Sequence, residues 1–333
     1  MRGEMLYTRN LSASELLTTD IWTSDSSSQR NDFISLTAYG INANFEYKNY
    51  CLEVLPFNKP NHSGEAFQDW SIQDRVREVV TENAPNMGVA IREIQETYNI
   101  VPVKCLSHSL QLVIRDSLFI EDKVNEVSTR WNSTLQALRR LLEQRVSVQT
   151  CLPRINCRVE LTTEEWILME EVVNILRYFE EATKSISKAT ATLPDAIPII
   201  NSLRKLLDNM SSHSTERQNI SQSQKLASDL LLALNERFEG LENEEIYSLA
   251  TTLDPRYKTR TFQLQSTTST TATPGTSSEM PTSCSLWSIC ENIIREAEEN
   301  EPLSTLNCNS HKEVERYLRS PNISRLRPVC FLA

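Results

Sequence analysis

Residues 16–24, LLTTDIWTS, place a carboxylate and a tryptophan within a run of apolar and β-branched residues. Leu17 precedes Asp20 and Ile21 follows it, so the run predicts a β-strand that holds the Asp20 carboxylate at a sheet surface. An acid in such a place is either a metal ligand or a charge that prevents unwanted pairing of an edge strand. Which role applies depends on whether the rest of the chain supplies partner carboxylates.

The composition argues against several classes of protein. The chain has 333 residues and a net charge of -10, with only six glycines. It contains no GxGxxG, P-loop or GxSxG signature, which argues against nucleotide-binding folds and serine hydrolases. The negative charge argues against a surface that binds nucleic acid throughout, although a local basic patch is compatible with it. No apolar run approaches the ~18 residues of a membrane span, so no membrane partner is expected.

The strand pattern continues outward from Asp20. Three runs between residues 18 and 57 alternate apolar and polar side chains and are separated by short polar breaks, which predicts an antiparallel meander. Two strand-then-helix units follow, with strands at 75–81 and 101–106 and the second helix at 108–119. Three antiparallel strands followed by two such units is the order of a ribonuclease H-like mixed sheet.

After residue 120 the apolar residues recur at helical spacing. A helix is predicted over 131–152, and a longer one is capped by Thr162 or Thr163. Further helices are expected near 195–210, 222–239, 241–251 and 286–300. The apolar face predicted for the helix over 131–152 consists of Leu135, Leu138, Leu141, Leu142 and Val146.

The change from period 2 to period 3.6 predicts the domain boundaries. Residues 1–127 form a partial α/β core, and residues 128–261 form an all-α domain. Residues 262–283 are rich in Ser, Thr and Pro and are expected to be a disordered linker. Residues 284–333 are expected to carry C-terminal helices.

Two groups of residues could bind a metal ion. Asp20 and Glu82 stand on or just after predicted strands, and a hard cation such as Mg²⁺ is bound by one or two such carboxylates. Cys105 and His108 form a CxxH half-site, but a structural zinc site needs about four ligands and no matching half is present. The preferred interpretation is that Cys105 and His108 are structural residues.

The sequence RWNST, residues 130–134, is a candidate contact for DNA. Arg130 and Trp131 combine a charge with a ring on which an unpaired base can stack, and Arg139 and Arg140 follow on one helix. The alternative is that Trp131 belongs to the core and the arginines to a solvated face. Residues 253–258, LDPRYK, are interpreted as a turn that closes the helical domain, with a phosphate contact as the alternative.

Six stretches in one order resemble the hAT superfamily of DNA transposases and their host-derived relatives, the zinc finger BED domain-containing proteins. They are TTDIWTS, VVTENAPNM, VKCLSHSLQLVIRDSLF, STRWNSTLQALRRLLEQR, ATTLDPRYK and HKEVERYL. The resemblance implies a ribonuclease H-like mixed sheet interrupted by a helical insertion domain. It also implies a nuclear protein whose ancestral activity is metal-dependent DNA transposition.

The same resemblance assigns Asp20 as the first of three catalytic acids. The second position is Asp in the family pattern and Glu82 here, one methylene longer. The third acid belongs to a serine-rich motif in the C-terminal dimerisation region, and the expectation is that this chain ends before that motif and lacks the BED finger. Asp20 and Glu82 are then relic acids with no functional metal, and homodimerisation through that region is not expected.

Three functions remain open at this point. The preferred hypothesis is a catalytically inactive, domesticated transposase that binds DNA or regulates transcription, without a cofactor. The second is an active DNA transposase or nuclease, which requires a divalent metal such as Mg²⁺. The third is a helical scaffold that binds protein partners and has no nucleic-acid role.

Overall fold

A computed structural model provides the structure of the protein. It describes residues 15–26, 29–41, 47–56, 76–82, 92, 95, 100–118, 131–151, 161–188, 190–212, 221–262, 285–299, 314 and 316–322. The chain divides into two compact units, one made of Met1–Ser109 with Cys330–Ala333 and the other of Leu110–Val329. The boundary predicted at 127/128 lies outside the described residues. So does the linker predicted over 262–283, apart from its first residue.

The first unit contains a five-stranded mixed sheet. Its strands are β1 (Glu15–Ser26), β2 (Gln29–Ile41), β3 (Tyr47–Pro56), β4 (Val76–Thr81) and β5 (Val101–Lys104). The spatial order is β3-β2-β1-β4-β5, with β1, β2 and β3 antiparallel and β1, β4 and β5 parallel. The predicted meander followed by two further strands is therefore present.

Apolar and β-branched residues form the core of this unit. Alternate residues of β2 are buried, because a strand turns every second side chain toward the same face. The buried apolar side chains of the sheet are Leu17, Ile34, Leu36, Ala38, Val76, Val79 and Val103. The hydrophobic pattern thus fixes the register in which β1 pairs with its two neighbours.

Helix α1 (Leu106–Leu118) follows β5 directly and crosses the division between the two units. The backbone N–H of Cys105 donates to the carbonyl of Thr81 at 2.8 Å, which ties the start of the helix to the end of β4. Leu110, Val113 and Ile114 are fully buried, as their spacing predicts. This strand-then-helix unit is confirmed.

The predicted helix 131–152 is two helices, α2 (Trp131–Glu143) and α3 (Arg145–Cys151), separated at Gln144. Hydrogen bonds of the helical i to i−4 type continue through Gln144, so the interruption is a local distortion. Val146 was expected on the buried face but is 76% exposed. The predicted apolar face therefore ends within α2, where Leu135 is its fully buried member.

Helix α4 (Thr163–Ile186) is the longest described helix of the second unit. The side chain of Thr162 accepts from the backbone of Glu165, and the Glu165 side chain accepts from the backbone of Thr162. This capping box satisfies N–H groups at the start of the helix that have no partner within it. The cap is thus Thr162 and not Thr163.

Helices α5 (Ala196–Ser212), α6 (Gln222–Arg237) and α7 (Glu245–Leu253) follow. The last of these was expected over 241–251 but begins later. Gly240 adopts φ +71°, the left-handed region, and a short 3-10 turn at Leu241–Asn243 precedes α7. Glycine suits this position because it alone lacks the Cβ that disfavours a left-handed backbone.

Helix α5 is the centre of the second unit. It packs against α4, α6, α7 and α8 (Leu286–Glu299). Every residue from Ala196 to Leu203 is buried, which is typical of a helix segment surrounded by others. Beyond it, Leu206 and Leu207 are buried on one face. Within the ranges that the structure describes, no helix is both long and apolar enough to cross a membrane.

Candidate functional site

Asp20 lies on β1, and Glu82 directly follows β4, the parallel neighbour of β1. Thr18 of β1 pairs with Val80 of β4. Asp20 lies two residues beyond Thr18, and Glu82 lies two residues beyond Val80, directly after β4. Their backbone positions are therefore abreast if the register continues. Glu82 is half-buried, while the side chain of Asp20 lies outside the described residues.

A third carboxylate on the sheet was not singled out from the sequence. Glu78 of β4 is half-buried, and burial raises its pKa despite the opposing charge of Arg77. Four residues of a strand span roughly 13 Å, so Glu78 and Glu82 are too far apart along β4 to share one metal ion. The available signal was the position of Glu78 within RVREVVT, residues 75–81, the run that predicted this strand.

Cys105 and His108 lie at the start of α1. The carbonyl of Cys105 accepts from the backbone N–H of Ser109 at 2.9 Å and from its hydroxyl at 3.0 Å. These are first-turn contacts of a helix, which agrees with a structural role for Cys105. His108 is half-buried in the same turn.

The RWNST stretch begins α2. Trp131 is buried at the first position of the helix. Stacking on a base requires an accessible ring face, so in this arrangement Trp131 contributes to packing. Arg130 lies outside the described residues.

Arg139 and Arg140 are adjacent on α2 but differ in environment. Arg139 pairs with Glu180 of α4 at 2.7 Å, and its side chain is 29% exposed. Arg140 pairs with Glu143 at 2.9 Å within its own helix, and its side chain is 71% exposed. Arg140 is therefore the more accessible of the two to a partner.

Glu180 connects α2 to α4. It accepts from Gln136 at 3.1 Å and pairs with Arg139 and, at 2.9 Å, with Lys184. Burial acts to raise the pKa of Glu180, but the hydrogen bonds and charges of Lys184 and Arg139 outweigh it and lower that pKa. The ionised carboxylate is therefore the stabilised form.

The DPRYK turn, residues 254–258, is the most densely bonded polar cluster of the second unit. Arg256 donates to both oxygens of Asp254, from Nε to Oδ1 at 2.9 Å and from Nη2 to Oδ2 at 2.6 Å. The hydroxyl of Tyr257 donates to Asp195 at 2.6 Å, and the same Asp195 accepts from the backbone of Thr192 at 2.9 Å. The bond from Tyr257 to Asp195 fastens the end of α7 to a second 3-10 turn, Leu193–Asp195, which directly precedes α5.

The electrostatics of the DPRYK turn agree with a structural role. Burial alone lowers the pKa of Arg256, but the hydrogen bond to Asp254 and the nearby charges, that of Asp195 included, outweigh burial and raise the pKa. Burial, together with the charge of Asp195, raises the pKa of Tyr257. The guanidinium therefore stays charged and the phenol stays protonated. Both are engaged within the protein, which favours the closing turn over the phosphate contact.

Comparison with protein-family models finds no match for this chain. Curated relatives do match over parts of it. Zinc finger BED domain-containing protein 4 from Homo sapiens is 26% identical over 139 residues, which are 42% of this chain and 11% of that protein. Zinc finger BED domain-containing protein 6 from Homo sapiens is 38% identical over 135 residues, which are 38% of this chain and 13% of that protein.

The mouse (Mus musculus) zinc finger BED domain-containing protein 6 is 37% identical over 135 residues, again 38% of this chain and 13% of the relative. Among solved structures, the Drosophila P element transposase strand transfer complex covers 70% of this chain and 66% of its own, at 9% identity and a TM-score of 0.26. That structural similarity is too low to support an argument. The sequence matches confirm the resemblance: a segment of this chain is homologous to the zinc finger BED domain-containing proteins.

Proposed function

We propose that this chain is a part of a transposase-derived nuclear protein that associates with DNA and has lost catalysis. The support is its homology to zinc finger BED domain-containing proteins at 26% to 38% identity. The matched stretches are only 11% to 13% of those relatives' length, so the role of the whole protein is part of the proposal. DNA is the partner that this ancestry favours.

The sheet order supports a ribonuclease H-like core. Three antiparallel strands are followed by two strands parallel to β1, in the spatial order β3-β2-β1-β4-β5. In such a core the central strand and its parallel neighbour carry the first two acids, which is where Asp20 and Glu82 lie in the chain. The helical unit is the insertion domain in this proposal.

The acid pair supports the loss of catalysis. Carboxylate oxygens are the ligands that Mg²⁺ prefers, so the donor chemistry at positions 20 and 82 suits that ion. The length of the Glu82 side chain does not suit Mg²⁺, because this ion demands near-ideal octahedral geometry. Glu82 is one methylene longer than the Asp of the family pattern. The proposed role therefore includes no metal-dependent step.

Arg140 is proposed as one member of the basic cluster that contacts DNA, and its guanidinium also pairs with Glu143 at 2.9 Å. With a net charge of -10, the protein needs a local cluster of basic side chains to attract phosphates. Arg140 has an exposed guanidinium, and Arg139 is held by Glu180. Arg140 then makes a phosphate contact, while Arg139 orients α2.

A salt titration of DNA binding tests this proposal. The full chain is titrated with double-stranded and single-stranded DNA at salt concentrations between about 25 and 200 mM. Each phosphate contact releases on the order of one counterion, so the dependence of affinity on salt reports the number of contacts. Replacing Arg140 by Gln should weaken binding and reduce the slope of log K against log salt by ~0.9. Lys225→Gln, on the surface of α6, is the matched control and should leave both values unchanged.

A nicking and strand-transfer assay with Mg²⁺ or Mn²⁺ tests the loss of catalysis. The expected result is no turnover above that of the Asp20→Ala variant. Turnover that disappears in Asp20→Ala would show an active transposase instead. Failure to bind either form of DNA at low salt, in protein with an intact thermal transition, would favour the interaction scaffold.

A further inference from the structure

Two buried cations of the second unit converge on one exposed serine. Lys258 is 1% exposed and Arg260 is 5% exposed. The Lys258 ammonium donates to the Ser320 hydroxyl at 2.7 Å and also to the Ser320 carbonyl. Arg260 donates to that carbonyl at 3.1 Å. Ser320 itself is exposed.

The surrounding residues fix this arrangement. Asn322 donates from its side chain to the carbonyl of Arg256 at 2.7 Å, and the hydroxyl of Tyr317 donates to the carbonyl of Leu253 at 2.7 Å. The Lys258 ammonium lies 5.0 Å from the centre of the Tyr317 ring. Residues 316–322 are thus held on the DPRYK turn at several points, and the Ser320 hydroxyl is presented at a defined place.

Both cations lie within hydrogen-bond distance of Ser320 oxygen atoms, so a phosphate carried by this residue would lie beside them. Glu298 pairs with Arg260 at 3.0 Å and neutralises one positive charge. The hydrogen bonds from Lys258 to Ser320 go to uncharged oxygen atoms. Hydrogen bonds from ionised donors to a phosphate are shorter and stronger than those to neutral oxygen atoms, so a phosphate on Ser320 would be held more tightly than the hydroxyl is.

The sequence at Ser320 is of the kind that one class of protein kinase recognises in its substrates. Ser320 is followed by Pro321, and a proline directly after the acceptor residue is what proline-directed protein kinases require. Pro321 is exposed as well. Thr273 with Pro274 is the other such pair in the chain. It serves as an internal control.

We propose that Ser320 is a phosphorylation site whose phosphate is bound by Lys258 and Arg260. A proline-directed kinase transfers the γ-phosphoryl group of ATP to the Ser320 Oγ. The Oγ–P bond forms, the bond from that phosphorus to ADP breaks, and the hydroxyl proton passes to the catalytic base of the kinase. The product adds close to two negative charges beside two cations.

The modification strengthens the attachment of residues 316–322. A phosphate opposite a basic cluster forms one to three charge-assisted hydrogen bonds of the kind that orders a segment. The hydroxyl of Ser320 now donates to the carbonyl of Tyr317 at 2.7 Å, and that bond is lost. The backbone N–H of Ser320 still donates to the carbonyls of Arg316 and Tyr317, so the turn stays closed.

The test uses the full chain treated with a proline-directed kinase and ATP, followed by phosphopeptide mapping and ³¹P NMR. We expect phosphate on Ser320, with a second phosphate pKa about one unit below the ordinary value near 6. Phosphorylated Thr273 in the same molecule is the reference and should titrate near that ordinary value. The Thr273→Ala variant assigns the two signals.

Thermal unfolding gives a second readout that needs no variant of a buried cation. In the Thr273→Ala background, phosphorylation should raise the Tm by about 2–4 °C, as expected for a stabilisation near 1 kcal/mol in a unit of this size. Lack of phosphate on Ser320 overturns the proposal. Equal phosphate pKa values at the two sites, or an unchanged or lower Tm, overturn it as well.

Discussion

The two units place acidic residues in different surroundings. In the helical unit, Asp195 and Asp254 are buried, and each is matched to a specific donor, Tyr257 or Arg256, at 2.6 Å. In the sheet unit, Glu82 is half-buried at the end of β4, beside the chain position of Asp20. In the DPRYK turn, the mutual pairing of these charges identifies a structural motif, whereas Glu82 is related to Asp20 by its position along the neighbouring strand.

The largest expected effect comes from breaking the buried pair of the helical unit. Asp254→Asn removes the carboxylate that Arg256 contacts most closely and leaves only Asp195, at 3.4 Å, as its anionic partner, which should lower the free energy of unfolding by about 3 kcal/mol. Urea denaturation measures this change in the free energy of unfolding. Asp208→Asn on the exposed side of α5 is the control, with an expected change within ~0.5 kcal/mol.

A double variant sharpens that result. Asp254→Leu combined with Arg256→Met removes both charges of the pair, and it should be more stable than Asp254→Asn because neither member is left without the other, while Asp195 keeps its hydrogen bonds from Tyr257 and Thr192. If Asp254→Asn is as stable as the unchanged protein, the DPRYK turn does not depend on this pair and remains open to a ligand.

A smaller effect is expected where α2 meets α4. Glu180→Gln removes the charge that holds Arg139 and Lys184 and should cost about 1–2 kcal/mol at pH 7. The pKa of Glu180 is lowered in the folded protein, so its stabilisation is present above the unfolded value of 4.5 and is lost as pH falls through the lower folded value.

Unfolding measured between pH 7 and pH 3 checks this dependence. The difference between the unchanged protein and Glu180→Gln should shrink as the solution becomes more acidic. Arg140→Gln is the control on the same helix and should change stability by less than ~0.5 kcal/mol, because its ion pair is exposed. A pH-independent difference would mean that Glu180 stabilises by packing.

The smallest expected effect concerns the start of α4. Thr162→Ala removes the side-chain acceptor of the capping box and should cost about 1 kcal/mol. Thr163→Ala is the matched control inside the helix and should be neutral or slightly stabilising, because Ala has the higher helix propensity. Thermal unfolding distinguishes the two variants, and the reverse order would assign the cap to Thr163.

The sheet could be predicted closely from the sequence, because alternation with period 2 and polar breaks determine where each strand lies. Asp20 in β1 and Glu82 after β4 were placed correctly in the chain for that reason. The helices of the second unit were also placed, with errors at Gln144 and Gly240. A distorted turn and a left-handed glycine carry little periodic signal, so these boundaries required the structure.

The partners of charged side chains could not be predicted. Arg139 and Arg140 are neighbours in sequence, yet one contacts a residue 41 positions away and the other a residue three positions away. Lys258 and Ser320 are likewise 62 positions apart. Such pairs depend on tertiary packing, whereas the local sequence indicates only which residues carry charge.

The burial of residues 196–203 of α5 on all sides also bears on how the protein is synthesised. Helix α8, which covers part of α5, begins 74 residues after α5 ends at Ser212. At a rate of ~5–20 residues per second, the ribosome releases α5 several seconds before α8. During that interval an apolar surface of the nascent helix has no native cover, and this is the period in which we expect the chain to need a chaperone.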